Sequence, residues 1–205
     1  MIAIIDYGVG NLFSLKSSFA AIGADTVVTG DPSIIRSAEK LVLPGVGAFG
    51  DAAALLKQNS LDKLVKEEAL NGKPLLGICL GMQLLFDYSL EYGQHEGLGL
   101  IPGSVRPIGD YIPQGYKIPH IGWNALHFPA GKPVSPLFRH IREGDCVYFV
   151  HSFCGAECQE SVIASAEYGT GLTAAAAHEN VYGVQFHPEK SGDVGLNILR
   201  AFCAL

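Results

Sequence analysis

Leu75-Leu76-Gly77-Ile78-Cys79-Leu80-Gly81-Met82-Gln83 passes from an apolar run, through a cysteine bracketed by glycines, into a helical pattern. The run 75–78 is apolar on both of its faces, as a central strand covered by helices on two sides requires. A helix is expected over 80–88. Between them, Gly77-Ile78-Cys79-Leu80-Gly81 has the form of the G-x-S-x-G nucleophile elbow with Cys in place of Ser. A sharp strand-to-helix turn forces its central residue into a strained backbone conformation, and the flanking glycines let neighbouring elements approach. The sulfur is thereby lifted out at the carboxyl edge of the sheet, where open α/β folds bind ligands, and the helix amino terminus favours an anion there. A free cysteine is just as often a small buried hydrophobe, so this reading needs a second part.

Outward from this stretch, short aliphatic runs alternate with helical patterns, the order expected of a parallel sheet. Strands are expected over 1–5, 25–29 and 41–43, the last stopped by Pro44. Helices are expected over 12–22 and, as one or two segments, over 51–72, with Leu55, Leu61, Leu64, Val65 and Leu70 turned inward. From 93 to 136 Gly and Pro are dense and the apolar pattern shortens toward alternation, which reads as antiparallel strands and turns. Further strands over 146–150, 162–166, 172–177 and 181–186 precede a helix over 193–203, capped near Asp193. The fold class is α/β: a mixed, mostly parallel open sheet flanked by helices, with antiparallel edge additions, in a single domain spanning 1–205.

Composition excludes several classes of partner. Lys plus Arg number 14 against 20 Asp plus Glu, for a net charge of −6, and no basic block exists to track a phosphate backbone; no nucleic-acid partner is expected. Nor is a membrane, because the apolar runs fall far short of the roughly 20 residues of a span. Met1-Ile2-Ala3-Ile4-Ile5-Asp6 reads as a first strand and not as a secretion leader. Five cysteines, an odd number, fit a reducing cytoplasm better than a disulfide framework. Cys154 and Cys158 lack the C-x-x-C or H-x-x-x-H spacing of a zinc site, so no metal is expected.

The second part of the chemistry lies in Gln185-Phe186-His187-Pro188-Glu189-Lys190. Pro188 biases His187 to an extended conformation, and in extended chain positions i and i+2 share a face. Glu189 can then orient the imidazole while its other nitrogen addresses the Cys79 thiol, the nucleophile, base and orienter logic of triads. Alone, a His beside a carboxylate is commonly a surface pair; joined to the cysteine elbow it reads as a cysteine hydrolase. Gln83, one helical turn after Cys79, leans back over the sulfur and can line a pocket there. Gly45-Val46-Gly47-Ala48-Phe49-Gly50 formally matches the dinucleotide signature G-x-G-x-x-G. The acids about 20 residues on, Glu67 and Glu68, sit in a helical pattern where a strand end is needed, so no nucleotide cofactor is expected. The segment suits another use: with the Leu80 N–H, backbone amides at Val46 and Gly47 can form an oxyanion hole. Gly8-Val9-Gly10-Asn11 reads as a turn with an Asn helix cap.

With the elbow G-I-C-L-G-M-Q, the segment P-G-V-G at 44–47 and H-P-E at 187–189, the chain resembles the class I glutamine amidotransferases. Within that class, I-I-D-Y-G-V-G-N-L at 4–12, G-L-G-L-I-P-G at 97–103, G-W-N at 122–124, Y-F-V-H-S at 148–152 and H-P-E-K-S at 187–191 resemble the glutaminase subunits of imidazole glycerol phosphate synthase. The resemblance implies hydrolysis of glutamine to glutamate and ammonia through a thioester on Cys79, with no cofactor. It implies a substrate pocket made by Gln83, Glu91, the Gly47 backbone and His151, Ser152 and Phe153. It also implies a heterodimer with a cyclase subunit of barrel fold, which takes the ammonia in histidine biosynthesis and which would meet Trp123, Asn124, Tyr148 and Lys190. Taken alone, Trp123 could equally be core. The chain departs from the family at Phe153-Cys154, where paired aromatics are usual. Two other readings stay open on the residues: a glutaminase serving another synthase, such as anthranilate synthase, and a non-catalytic binding or redox-sensing subunit built around Cys79.

Overall fold

The computed structural model describes residues 1–205. Its first half is β1 (Ile2–Ile5), α1 (Leu12–Ala21), β2 (Thr26–Thr29), α2 (Pro32–Ser37), β3 (Lys40–Leu43), α3 (Phe49–Gln58), α4 (Leu61–Leu70), β4 (Leu75–Ile78) and α5 (Leu80–Gln83). Short strands follow: β5 (Tyr88–Ser89), β6 (His95–Glu96) and β7 (Ser104–Pro107). The rest is β8 (His120–Ala125), β9 (Cys146–His151), β10 (Phe153–Ala156), β11 (Val162–Glu167), β12 (Gly171–His178), β13 (Val181–Val184) and α6 (Gly192–Cys203). Seven strands form the main sheet in the order β11-β12-β13-β4-β3-β1-β2. The five from β13 to β2 are parallel, and β12 and β11 add an antiparallel edge. β10-β7-β5-β6 and β8-β9 make two smaller sheets.

Side chains that alternate along a strand go to opposite faces, and the core divides accordingly. Leu41, Leu43 and Leu75 join the cluster beneath α3 and α4, while Val42, Leu76 and Ile78 join the one that holds Leu15, Phe19, Ile198 and Phe202 of α1 and α6. Both faces of β4 are therefore dry, which is why its sequence is apolar without alternation. Each such leucine contributes roughly 1.5–3 kcal/mol on burial.

Several local expectations are corrected. α5 stops at Gln83 instead of running to residue 88: the Leu85 and Phe86 N–H groups bond one residue short, to Met82 O and Gln83 O, and the Asp87 N–H goes to Gly103 O at 3.1 Å. Leu98 N–H donates to Leu84 O at 2.8 Å, Leu100 and Ile101 N–H to Leu85 O, and Gly99 N–H to Phe86 O at 3.1 Å. Leu70, at the end of α4, is 70 % exposed and not inward. The last strand stops at Val184, and α6 starts at Gly192 after Ser191, ahead of Asp193. α2 is an addition to the expected elements, although Asp31-Pro32-Ser33 carries its signal: Asp31 accepts from the Ser33 N–H at 2.7 Å and Pro32 starts the helix. The Asn11 cap is present, accepting from the Ser14 N–H at 3.4 Å.

Candidate active site

The cysteine elbow is built by close backbone approach. Cys79 has φ 54° and ψ −113°, a conformation costly for a residue with a side chain. A Cβ at Gly77 would lie 2.6 Å from the Gly81 carbonyl oxygen, and one at Gly81 would collide with the Leu43 carbonyl. These glycines therefore let α5 sit directly on the ends of β4 and β3. β13 lies parallel to β4 with Val184 opposite Ile78. Residues 185–187 consequently emerge beside Cys79, and the His187 N–H is pinned to Tyr148 O of β9 at 3.0 Å.

His187 and Glu189 meet with Nδ1 to Oε1 at 2.8 Å, both side chains almost fully buried. The geometry differs from the extended i, i+2 pair expected: only His187 is extended, and Pro188–Lys190 form a 3-10 turn that swings the carboxylate back onto the ring. Burial alone would depress the His187 pKa. Hydrogen bonds and opposite charge from Cys79 and Glu189 outweigh it and push the imidazole up to about 9. Glu189 Oε2 is buried without a partner, so its carboxylate is satisfied only on the histidine side. With sulfur on one side of the ring and carboxylate on the other, the arrangement can hold an ion pair and pass a proton.

A cleft of about 320 Å³ opens over the sulfur. Val46, Gly47, Cys79, Leu80, Gln83, Glu91, His151, Ser152, Phe153 and His187 all line it, together with Pro119 and Val150, for which the sequence carries no signal. Gly47 has φ +93°, open to glycine, and the Tyr7 hydroxyl donates to Pro44 O at 2.8 Å, fixing the start of that segment. The Glu91 carboxylate accepts from the Phe49 N–H at 2.6 Å, which places an anion at one end of the cleft. His151 donates from Nδ1 to Phe153 O at 2.9 Å, and burial lowers its pKa to about 4, so it is neutral at pH 7. Gln83 does not itself touch the sulfur; Gln185 does, from 3.8 Å. Sequence signals Gln185 only through its place two residues before His187.

The other thiols are differently placed. A second cleft, about 380 Å³, is lined by Cys154, Cys158, Thr173 and Tyr111. Burial pushes Cys154 up to about 12 and raises Cys158 as well, which keeps both as inert thiols.

Comparison with known proteins gives the family. The family model described as "Glutamine amidotransferase class-I" matches residues 3–204. The chain belongs to the class-I glutamine amidotransferase family. It is thus a glutamine amidotransferase enzyme, and within the family it falls with the HisH subunits of imidazole glycerol phosphate synthase. The HisH of Sulfurimonas denitrificans is 47% identical over 98% of this chain and 97% of its own. That of Wolinella succinogenes is 45% identical over 100% of both, and that of Moorella thermoacetica 48% over 98% and 93%. Among solved structures, one described as a glutamine amidotransferase covers 99% of this chain and 100% of its own at 17% identity and TM-score 0.75. The PurLQS structure from Thermotoga maritima covers 99% and 97% at 19% identity and TM-score 0.74. At such identities these two share the fold.

Of the four residues expected at a partner surface, Trp123, Tyr148 and Lys190 meet outside the cleft and Asn124 does not join them. Trp123, 56 % exposed, is not core; its ring meets that of Tyr148 edge-on at 6.0 Å, and the Lys190 ammonium lies 5.9 Å from the Tyr148 ring centre. Asn124 is tied inward, donating to Glu167 O at 2.8 Å and facing His120 Nε2 at 2.8 Å. No helix is long and apolar enough to cross a membrane.

Proposed function

We propose that the chain hydrolyses glutamine to glutamate and ammonia with Cys79 as nucleophile, His187 as acid and base, and Glu189 as the group that holds His187. The observation that carries this reading is the buried Cys79-His187-Glu189 alignment at the floor of a cleft with one fixed anion, Glu91. The Cys79 sulfur attacks the side-chain amide carbon. The resulting oxyanion is met by backbone N–H groups of the Val46-Gly47 segment and Leu80. His187 gives its proton to the departing ammonia, leaving a thioester, and then takes a proton from the water that cleaves it. Glu91 suits the substrate's ammonium, and an anion there discriminates glutamine from uncharged amides. Gln83, His151, Ser152 and Phe153 form the remaining walls.

The ammonia must be passed on before it takes up a proton, since ammonium is no nucleophile. The acceptor on this reading is a barrel-fold cyclase subunit of imidazole glycerol phosphate synthase, bound as a heterodimer in the cytoplasm. Trp123, Tyr148 and Lys190 present an aromatic and cationic surface to it beside the triad, with Asn124 behind them. The stretch 1–205 acts as one glutaminase domain. The test is glutamate release by the purified chain with and without its cyclase loaded with ligand. Release should rise strongly with the partner and vanish in Cys79→Ala; unchanged turnover in that variant would end the reading.

A further inference from the structure

We propose that Gln185 is a further catalytic residue, whose side-chain N–H donates to the Cys79 sulfur and stabilises it whenever it carries negative charge. This rests on Cys79 being the nucleophile.

Gln185 is fully buried. Its amide lies between two groups: Oε1 is 3.0 Å from Gln83 Nε2, and Nε2 is 3.8 Å from Cys79 Sγ. The direction of the chain of amides is fixed from its far end. Gln83 Nε2 is 3.2 Å from the Phe153 carbonyl, an oxygen that can only accept. Gln83 therefore gives one N–H to Phe153 and the other to Gln185, whose facing atom must be oxygen. Gln185 is left with its NH2 toward the sulfur. The backbone cannot rotate it away, because Gln185 N–H donates to Ala174 O in β12 at 2.8 Å.

An N–H to a neutral thiol is a weak contact, whereas the same N–H to a thiolate is charge-assisted and considerably stronger. The preference bears on both halves of the reaction. Before attack it favours the anionic sulfur with His187 protonated. In thioester hydrolysis the carbon–sulfur bond breaks and sulfur departs with the electron pair, so the same donor stabilises the leaving group. No proton moves through Gln185; the proton account stays with His187 and water. The relay also sets Gln83: with both N–H groups committed, it can only accept from a substrate, which matches an amide or ammonium N–H.

The experiment compares wild type with Gln185→Met, of similar size and without a donor, and Gln185→Glu, which still accepts from Gln83 but brings a negative charge in place of the N–H. Iodoacetamide is the probe, and alkylation of individual cysteines is followed by peptide mass at neutral pH, with exposed Cys146 as internal reference. Cys79 should react about tenfold more slowly in Gln185→Met and more slowly still in Gln185→Glu, with Cys146 unchanged. In glutamate release with the ligand-loaded cyclase present, kcat should fall by a similar factor in Gln185→Glu while KM stays within about twofold, since the Gln83 contact is kept. If Gln185→Met does not fold by circular dichroism, Gln185→Glu decides. Wild-type alkylation of Cys79 in the folded variants, or an equal slowing of Cys79 and Cys146, overturns the proposal. Wild-type chain that releases no glutamate even with its ligand-loaded cyclase counts against the proposed function instead, and the alkylation comparison still judges the contact to sulfur.

Discussion

The backbone N–H of Cys79 donates to the carbonyl of Val184 at 2.8 Å. This one bond joins the two halves of the chemistry, because it continues the β4–β13 pairing past Ile78 and Val184 to the residue that must carry the nucleophile. The register leaves no freedom: a slip of one residue would turn His187 to the far face of the sheet. Triad geometry is thus a consequence of strand pairing, and the side chains only complete it.

The same close packing makes the elbow intolerant of any side chain. Gly81→Ala forces a methyl group into the Leu43 carbonyl and the Pro44 backbone, atoms that cannot move without breaking β3 from β4. We expect a loss of about 3 kcal/mol or more in urea unfolding, far above the value for Gly171→Ala on β12, where a Cβ meets nothing within 4 Å.

The Glu91 carboxylate has two uses, holding the Phe49 N–H at the start of α3 and facing the cleft. Glu91→Gln keeps the acceptor oxygen for Phe49 and removes the charge. Steady-state kinetics with glutamine should show KM raised on the order of tenfold, the effect of losing a charge-assisted contact, with kcat changed less.

Trp123 and Lys190 are exposed and contribute little to folding. Trp123→Ala and Lys190→Ala should change unfolding free energy by no more than about 0.5 kcal/mol. Titration calorimetry with the cyclase should show at least one of them, Trp123 first, weakening association by about 2 kcal/mol, as central aromatic anchors do.

What is legible in the sequence follows the range of the forces involved. The apolar run of β4, the Gly-Cys-Gly turn and the His187-Glu189 pair are local signals, and the cleft gathers the distant candidates Glu91 and His151 with them. The end of α5 at Gln83 is not legible, because it is decided by the tightening of the Leu85 and Phe86 N–H bonds and by the pairing of the Asp87 N–H with the distant Gly103 carbonyl. Gln185 escapes sequence reading for a related reason. Its role depends on Gln83 and Cys79, about a hundred positions away, and a buried glutamine at a strand end carries no signature of its own. The bend that returns Glu189 to His187 is likewise set by Pro188 and the packing of α6, where the local pattern alone suggests extended chain.

Two buried histidines give stability opposite slopes against pH. The His187 pKa rises from 6.5 to about 9 on folding, so its contribution is complete below 6.5 and is lost as pH rises toward 9 and the folded ring gives up its proton. His151 is lowered from 6.5 to about 4; its contribution is complete above 6.5 and is lost as pH falls toward 4, where the unfolded chain takes up a proton that the folded chain refuses. Each amounts to roughly 3 kcal/mol. Urea unfolding across pH 4 to 9 should therefore show greatest stability near pH 6.5. Cys79→Ala removes the sulfur that helps to hold the His187 proton, so its basic limb should begin to fall at lower pH than in wild type while the acid limb stays in place. His151→Asn should flatten the acid limb alone. An acid limb that shifts in Cys79→Ala, or persists unchanged in His151→Asn, would show that other groups govern it.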